Sequence, residues 1–307
     1  MQDFKLIMVS AMYENGGNTC HRHLDGHPEL YVYPFESQLG TPLCADYLSS
    51  LFPFKYRWPE FSTSGAVEDD FELFFDEELK TRIRAPQSSK FRDANIELNE
   101  NERKSLFINY MKNKERTRAN LVEAFFKATF DAWKNFNRTG KEKIYVGYSP
   151  IIGVDGEKIL TDFPDAHVIH VVRNPYSAYA ETKKRPFPLS LKRYTLTWNI
   201  VQYFALVNHK KFPANFHIIR YEDMNKNKSD VFSTLCNKIG ISFSETLLYP
   251  SWNKKKLSSI HPWGTISVAD ELTNKKTMSQ LREEEMREIK TLSYHSILKE
   301  FGYDELF

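Results

Sequence analysis

Four short apolar runs, each flanked by turn residues, constrain the fold of this 307-residue chain most strongly. They read FKLIMV from Phe4, IYVGY from Ile144, HVIHVVR from His167 and FHIIRYE from Phe216, and β-branched or aromatic residues dominate them, as in buried strands. Helical patterns separate the runs. Strands that alternate with helices predict an α/β fold with a central parallel sheet that is covered by helices on both faces.

Helices are predicted where apolar residues recur every third or fourth position. One such pattern ends at Trp133, a second begins near Tyr194, and a third runs from about Ser229 to Ile239, where Gly240 supplies a C-terminal stop. Residues 43–137 carry many aromatic and charged side chains and no convincing strand. We therefore expect a mostly helical insertion, which covers or shapes the substrate cleft, within a single domain that spans residues 1–307.

The overall composition excludes several classes of partner. Lysine and arginine together number 42 and acidic residues 40, so the net charge of +2 gives no global reason to bind nucleic acid or an anionic membrane, and any anion site must be local. Three cysteines are too few for a disulfide framework and suit a reducing compartment. No apolar run is long enough for a membrane span. These observations predict a cytoplasmic protein.

The loops after the predicted strands, at 10–19, 148–153 and 174–185, are expected to surround one site, because ligands bind beyond the carboxyl ends of parallel strands. The first loop and the helix after it read SAMYENGGNTCHRHLDGHPEL. Gly16 and Gly17 permit positive φ and a close backbone approach, and amides at the start of the next helix attract anions. Taken alone, the loop is equally compatible with a structural turn. Because it lacks the lysine of G-K-[ST], it is not a standard triphosphate-binding loop.

Five sequence blocks, taken in order, resemble the sulfotransferase superfamily, and most closely the branch with tyrosylprotein and bacterial carbohydrate sulfotransferases. They are LDGHPEL from Leu24, PFES with Glu36, DFPDAHVIHVVRNP from Asp162, RYEDM from Arg220 and PWGTI from Pro262. The resemblance implies a three-layer, P-loop-like fold that needs no metal. It also implies in-line transfer of a sulfuryl group from 3′-phosphoadenosine-5′-phosphosulfate to a hydroxyl or amine of a glycan or small metabolite.

The resemblance also implies roles for particular residues. Glu36 matches the general base, and His23 is the next candidate for that role. The residues that match or adjoin donor-binding positions are Asn15, Gly16, Gly17, Asn18, Thr19, Arg173, Ser177, Arg185, Tyr221, Trp263 and Gly264. Ordinary structural roles stay open for these residues: a strand-end ion pair for Arg173, a solvated basic face for Arg185, a core aromatic for Tyr221 and a helix cap for Glu36.

Three positions depart from the family pattern. Glu14 stands where the loop usually carries a basic residue, Tyr148 where a lysine often precedes the second loop, and Glu181 where a serine is usual, with Ser177 and Thr182 nearby. Losing two cations near a leaving phosphate would weaken transition-state stabilisation unless another group replaced them. The available replacements are Arg22, His21, His23 or a lysine of the insertion.

Three other functions remain open on the sequence alone. Cys20, His23 and His27 would share a face of a helix, as zinc ligands can, although the family carries a histidine at the position of His27 without a metal. A small-molecule kinase with a P-loop-type fold would need magnesium. A non-catalytic module that binds a nucleotide or a partner protein would tolerate the three departures.

Overall fold

The computed structural model describes residues 4–257 and 271–306. Five parallel strands form its central sheet in the order β2-β3-β1-β4-β5. Their bounds are Leu6–Ala11 for β1, Leu30–Val32 for β2, Ile144–Tyr148 for β3, His167–Val172 for β4 and Phe216–Arg220 for β5. The expected α/β fold with a central parallel sheet is confirmed.

All four predicted strands are present, and the sequence prediction missed only the edge strand β2 of this sheet. Residues Leu30–Val32 are too few to display a periodic pattern, and they form a strand because they pair in parallel with β3. A second, two-stranded antiparallel sheet consists of β6 at Ser251–Trp252 and β7 at Lys255–Lys256.

Alternating side chains of the strands pack against two helical layers, which gives three layers in total. Leu6 and Met8 of β1 belong to one buried cluster, and Ile7 and Val9 belong to the other. The first cluster contains residues of α5 at Arg118–Ala132, α6 at Gly156–Asp162 and α8 at Leu191–Lys211. The second contains residues of α1 at Gly17–Asp25, α9 at Tyr221–Lys226 and α10 at Lys228–Ile239. Gly240, with φ of +71°, ends α10.

The segment between β2 and β3 is largely helical. Its α-helices are α2 at Val67–Leu73, α3 at Glu77–Arg84, α4 at Glu100–Met111 and α5, and short 3-10 turns lie at Tyr47–Ser50, Phe54–Tyr56 and Pro86–Ser88. The helix α5 packs directly on the sheet, because the ring of Phe126 contacts the ring of Tyr145 in β3. The helices α2, α3 and α4 contribute Phe71, Leu79 and Phe107 to the same buried cluster as α5.

The remaining helices follow β4 or lie in the C-terminal part of the chain. They are α7 at Pro175–Thr182, α11 at Glu271–Met278, α12 at Glu283–Leu292 and α13 at His295–Glu300. The helix α12 is charged as its sequence indicates, yet Ile289 is fully buried and Lys183 of the segment after α7 pairs with Glu285. Within residues 4–257 and 271–306, no helix is long and apolar enough to cross a membrane.

Candidate active site

A cleft of about 380 Å³ lies where the carboxyl ends of the strands meet. Every strand of the central sheet contributes to it: the glycine loop follows β1, Glu36 lies beyond β2, Pro150 follows β3, Arg173 follows β4 and Tyr221 follows β5. The other residues that line the cleft are Tyr13, Glu14, Asn18, Thr19, Arg22, Pro34, Phe35, Tyr56, Glu78, Lys90, Phe91, Tyr148, Glu181, Arg185 and Thr277. The three loops therefore surround one site.

The glycine loop is packed tightly between two tyrosine rings. Gly16 has φ of +92°, and a Cβ atom there would lie 2.2 Å from Cδ2 of Tyr221. A Cβ atom on Gly17 would lie 2.6 Å from Cε2 of Tyr148. Only glycine suits both positions, and Gly17 begins α1. The first turn of this nine-residue helix, with Asn18 and Thr19, thus lines the cleft, where its backbone amides favour an anion.

Asn15 braces the loop from inside the protein. Its Nδ2 donates to the backbone oxygen of Tyr13 at 2.8 Å and to the hydroxyl of Tyr194 at 3.2 Å, and its Oδ1 accepts from the backbone N–H of Arg173 at 3.0 Å. Asn15 is fully buried and does not line the cleft. Its hydrogen bonds instead connect the loop after β1 to the end of β4.

Arg173 lies beside the loop with its guanidinium 4.7 Å from the centre of the Tyr221 ring. Its Nη1 donates to the backbone oxygen of Glu14 at 3.1 Å, and its Nε donates to Oδ1 of Asn274 in α11 at 2.8 Å. The hydroxyl of Ser177 donates to the backbone oxygen of the same Asn274 at 2.9 Å. Arg173 lines the cleft, whereas Ser177 is buried and does not line it, and both donate hydrogen bonds to one residue of α11.

Glu36 lies next to a second carboxylate. The backbone N–H of Glu36 donates to Oε2 of Glu78 at 3.0 Å. The side-chain amide of Gln38 donates to Oε2 of Glu36 at 3.1 Å. Glu78 forms an ion pair with Lys90. Burial and the neighbouring Glu36 carboxylate raise the pKa of Glu78 to about 7, although Lys90 acts in the opposite direction. The Glu36 carboxylate is therefore held in place in a cleft that also contains a carboxyl group able to titrate near neutral pH.

Comparison with known proteins identifies the family. A model of the Sulfotransferase family matches residues 40–245, about two thirds of the chain. The chain belongs to the sulfotransferase family. The matched region contains Arg173, Ser177, Arg185 and Tyr221, whereas the glycine loop and Glu36 precede it. No curated protein matches the sequence significantly.

Solved structures resemble the sulfotransferase in fold. The sulfotransferase domain from the curacin biosynthetic pathway is 16% identical, with a TM-score of 0.50 over 98% of this chain and 97% of that domain. The sulfotransferase domain from the Synechococcus PCC 7002 olefin synthase is also 16% identical, with a TM-score of 0.49 over 90% of this chain and 93% of that domain. At such identities the first match supports the three-layer fold alone.

Glu14, the acidic residue of the glycine loop, forms an ion pair with an arginine. Glu14, which adopts a left-handed φ of 59°, accepts from Nε and Nη2 of Arg185 at 2.8 and 2.6 Å. The Arg185 guanidinium also lies 5.4 Å from the centre of the Tyr13 ring. Glu14, which departs from the family pattern, therefore forms an ion pair with Arg185 at the cleft, and this pair balances the charge of Glu14.

His23 lies away from the cleft. Its Nδ1 is 2.8 Å from the backbone oxygen of Leu247, its ring contacts Phe232, and burial lowers its pKa to about 3. His27 Nε2 lies 2.7 Å from the backbone oxygen of Ser242. Both histidines thus bond to backbone oxygens on the far side of α1, so the structure does not support the candidacy of His23 as a base. In the described part of the chain, no cluster of three His, Cys, Asp or Glu side chains could hold a metal ion.

The other departures also have definite positions. Tyr148 packs against the ring of His21, with centroids 5.4 Å apart, and Glu181 lines the cleft. Thr182, an alternative for the missing serine, is buried and donates within its own helix. Trp263 and Gly264 lie outside the described residues.

Among the charged residues of the cleft, the sequence does not predict Glu78, and it predicts Lys90 only as an unspecified lysine of the insertion. Both belong to the segment between β2 and β3, where no family block marks them. A buried ion pair brings α3 to the cleft: Nη1 of Arg103 donates to Oδ2 of Asp76 at 2.6 Å, and the Tyr33 hydroxyl donates to Oδ1 at 2.7 Å. Because Asp76 immediately precedes α3, these bonds anchor the helix that carries Glu78.

Proposed function

We propose that this sulfotransferase uses 3′-phosphoadenosine-5′-phosphosulfate as its donor and acts on a hydroxyl, or an amine, of a glycan or small metabolite. The observation that carries the proposal is the composition of the cleft. It combines the first turn of α1, the guanidinium of Arg173 and the carboxylate of Glu36 at the carboxyl edge of one sheet. The cytoplasmic location stays an expectation from the cysteine content.

The donor is a polyanion, and the cleft offers separate partners for its two phosphate ends. The proposed ligands of the 3′-phosphate are Arg173, which lines the cleft, and Ser177, which is buried and bonds the same residue of α11, because a guanidinium fork and a hydroxyl suit a dianion. The amides of Gly17, Asn18 and Thr19 are the proposed ligands of the 5′-phosphosulfate. Since Asn274 accepts from both Arg173 and Ser177, the 3′-phosphate must displace it from them.

The transfer itself needs few groups. The acceptor oxygen or nitrogen forms a bond to sulfur while the bond between sulfur and the bridging oxygen breaks, and adenosine 3′,5′-bisphosphate leaves with the electron pair. Glu36 takes the proton of the acceptor, as a general base within hydrogen-bond reach does. The bond from Gln38 keeps the Glu36 carboxylate oriented. Helix amides stabilise the charge that develops on the leaving phosphate.

The walls of the cleft suit an acceptor with flat or cyclic faces. Tyr13, Phe35, Tyr56 and Phe91 line it together with the polar groups. Aromatic faces contact sugar rings and planar metabolites with little loss of conformational entropy, and the few polar groups fix orientation. These residues support the proposed acceptor class.

The experiment that tests the proposal replaces the base and keeps the site intact. In Glu36→Gln, sulfuryl transfer from labelled donor should fall about 10²- to 10⁴-fold, because general-base catalysis contributes that much. Calorimetry should find nearly unchanged affinity for adenosine 3′,5′-bisphosphate. Thr161→Val, a change on an exposed turn of α6 remote from the cleft, is the control. Retained turnover in Glu36→Gln would mean that another group accepts the proton.

A further inference from the structure

We propose that Arg22 is the cation that binds the 5′-phosphosulfate end of the donor. In this role it replaces the basic loop residue whose position Glu14 occupies. This inference rests on the proposed function, because it assigns a residue to the donor site described above.

The guanidinium of Arg22 is buried without the partners that it requires. Arg22 lies in α1, and only 2% of its surface is exposed. Its Nη2 donates to Nδ1 of the neighbouring His21 at 2.6 Å. Its Nε and Nη1 are buried and have no hydrogen-bond partner within residues 4–257 and 271–306. A buried charge that lacks partners costs free energy, which an anionic ligand would recover.

Other arginines of similar burial contrast with Arg22. Arg57, which is 1% exposed, donates to both Asp155 and Asp46, and Arg103, which is fully buried, donates to Asp76. Each of these guanidiniums therefore has a carboxylate partner inside the protein. The only hydrogen-bond partner of the Arg22 guanidinium among the described residues is an imidazole nitrogen. The carboxylates of Asp25 and Glu78 act on it through space without a hydrogen bond, and burial still lowers the pKa of Arg22. The buried Nε and Nη1 of Arg22, unpaired within the described part of the chain, are therefore available to donate to an anion.

The position of Arg22 matches the end of the donor that reacts. It lines the cleft with Asn18, which lies four residues earlier and so on the same face of α1. Side chains of a helix lean toward its N-terminus, so Arg22 extends toward the amides of the first turn. The first turn and Arg22 together provide one anion subsite with both backbone and charged donors.

His21 acts as a positioning residue for Arg22. Since His21 Nδ1 accepts from Arg22, the imidazole carries its proton on Nε2. The ring also packs against Tyr148, the residue that stands in place of the expected lysine. The ring of His21, which is packed against Tyr148, therefore fixes the Nη2 end of the Arg22 guanidinium.

The test uses Arg22→Met, which keeps an unbranched side chain and removes the charge. Without ligand, this variant should unfold at the same temperature as the wild type or higher, because a buried guanidinium without carboxylate partners is lost. Its affinity for adenosine 3′,5′-bisphosphate should fall about tenfold or more. Its affinity for adenosine 3′-monophosphate, which lacks the 5′-phosphate, should change little. Leu24→Val, a buried change on the same helix, is the control that should keep both affinities.

Turnover provides an independent readout. Arg22→Ala should lower sulfuryl transfer about 10²- to 10³-fold, and added guanidinium chloride at low concentration should restore part of it by filling the vacated space. Equal bisphosphate affinity in Arg22→Met and the wild type would overturn the assignment of Arg22 alone. If the wild type itself bound no bisphosphate, the proposed function would fail instead, so the two failures are distinguishable.

Discussion

The contact between Gly16 and Tyr221 allows a prediction whose size follows from the structure. In Gly16→Ala, the new methyl group meets two separate penalties. A left-handed φ of +92° costs an L-residue about 1–2 kcal/mol. A Cβ atom 2.2 Å from Cδ2 of Tyr221 forces the ring or the loop to move, which costs about 1–3 kcal/mol. We expect a total loss of about 2–5 kcal/mol in the free energy of unfolding.

A matched glycine separates the two penalties. Gly140 has a similar φ of +77°, and a Cβ atom there would have nothing within 4 Å. Urea unfolding of Gly140→Ala should therefore show only the backbone cost of about 1–2 kcal/mol. In a Tyr221→Ala background, Gly16→Ala should cost no more than Gly140→Ala does. Equal costs for the two alanine variants in the wild-type background would refute the packing of Tyr221 on the loop.

Three further predictions concern charges in the cleft. The pKa of Glu78 is about 7 in the folded protein, against 4.5 for an ordinary glutamate. The free energy of unfolding should therefore decrease as the pH rises from about 4.5 to about 7, because Glu78 loses its proton more easily in the unfolded chain. Glu78→Gln should flatten that part of the pH profile of the unfolding temperature, and an unchanged slope would contradict the shift. Asn274→Ala should tighten bisphosphate binding about fivefold in calorimetry, because the hydrogen bond from Arg173 no longer has to be broken. Weaker binding would show that Asn274 is itself a ligand. Arg185→Ala should weaken bisphosphate binding, and adding Glu14→Gln should restore part of it by removing an unpaired carboxylate; no restoration would mean that Glu14 does not act on the ligand.

The main elements of the fold were predictable because they have local signals. The strands β1, β3, β4 and β5 are apolar runs bounded by turns, and Gly240 marks the end of α10 at the predicted position. The strand β2 was missed because three residues are too few to show the alternation of a strand. Its pairing with β3 makes it a strand.

The candidate site was predictable where one chain segment contains both a strand and its loop. Gly16, Arg173 and Tyr221 each follow a strand of the central sheet closely. Glu78 and Lys90 come from a segment whose position depends on a buried pair between Asp76 and Arg103, so their place in the cleft is a tertiary result.

Two further features of the site depend on contacts that sequence patterns do not report. The hydrogen bonds from Arg173 and Ser177 to Asn274 join residues about a hundred positions apart. Arg22 was one of several possible replacement cations in the sequence. It differs from His21 and His23 because it lines the cleft, and its Nε and Nη1 have no hydrogen-bond partner among the described residues.

Thermal unfolding with adenosine 3′,5′-bisphosphate tests the central claim most directly. At about 100 times its dissociation constant, a ligand stabilises the folded state by about 2.7 kcal/mol, which raises the unfolding temperature by several degrees. The account predicts this rise for the bisphosphate, its loss in Arg173→Ala, and little response to ATP with magnesium. A rise with ATP and magnesium together with no response to the bisphosphate would contradict the account.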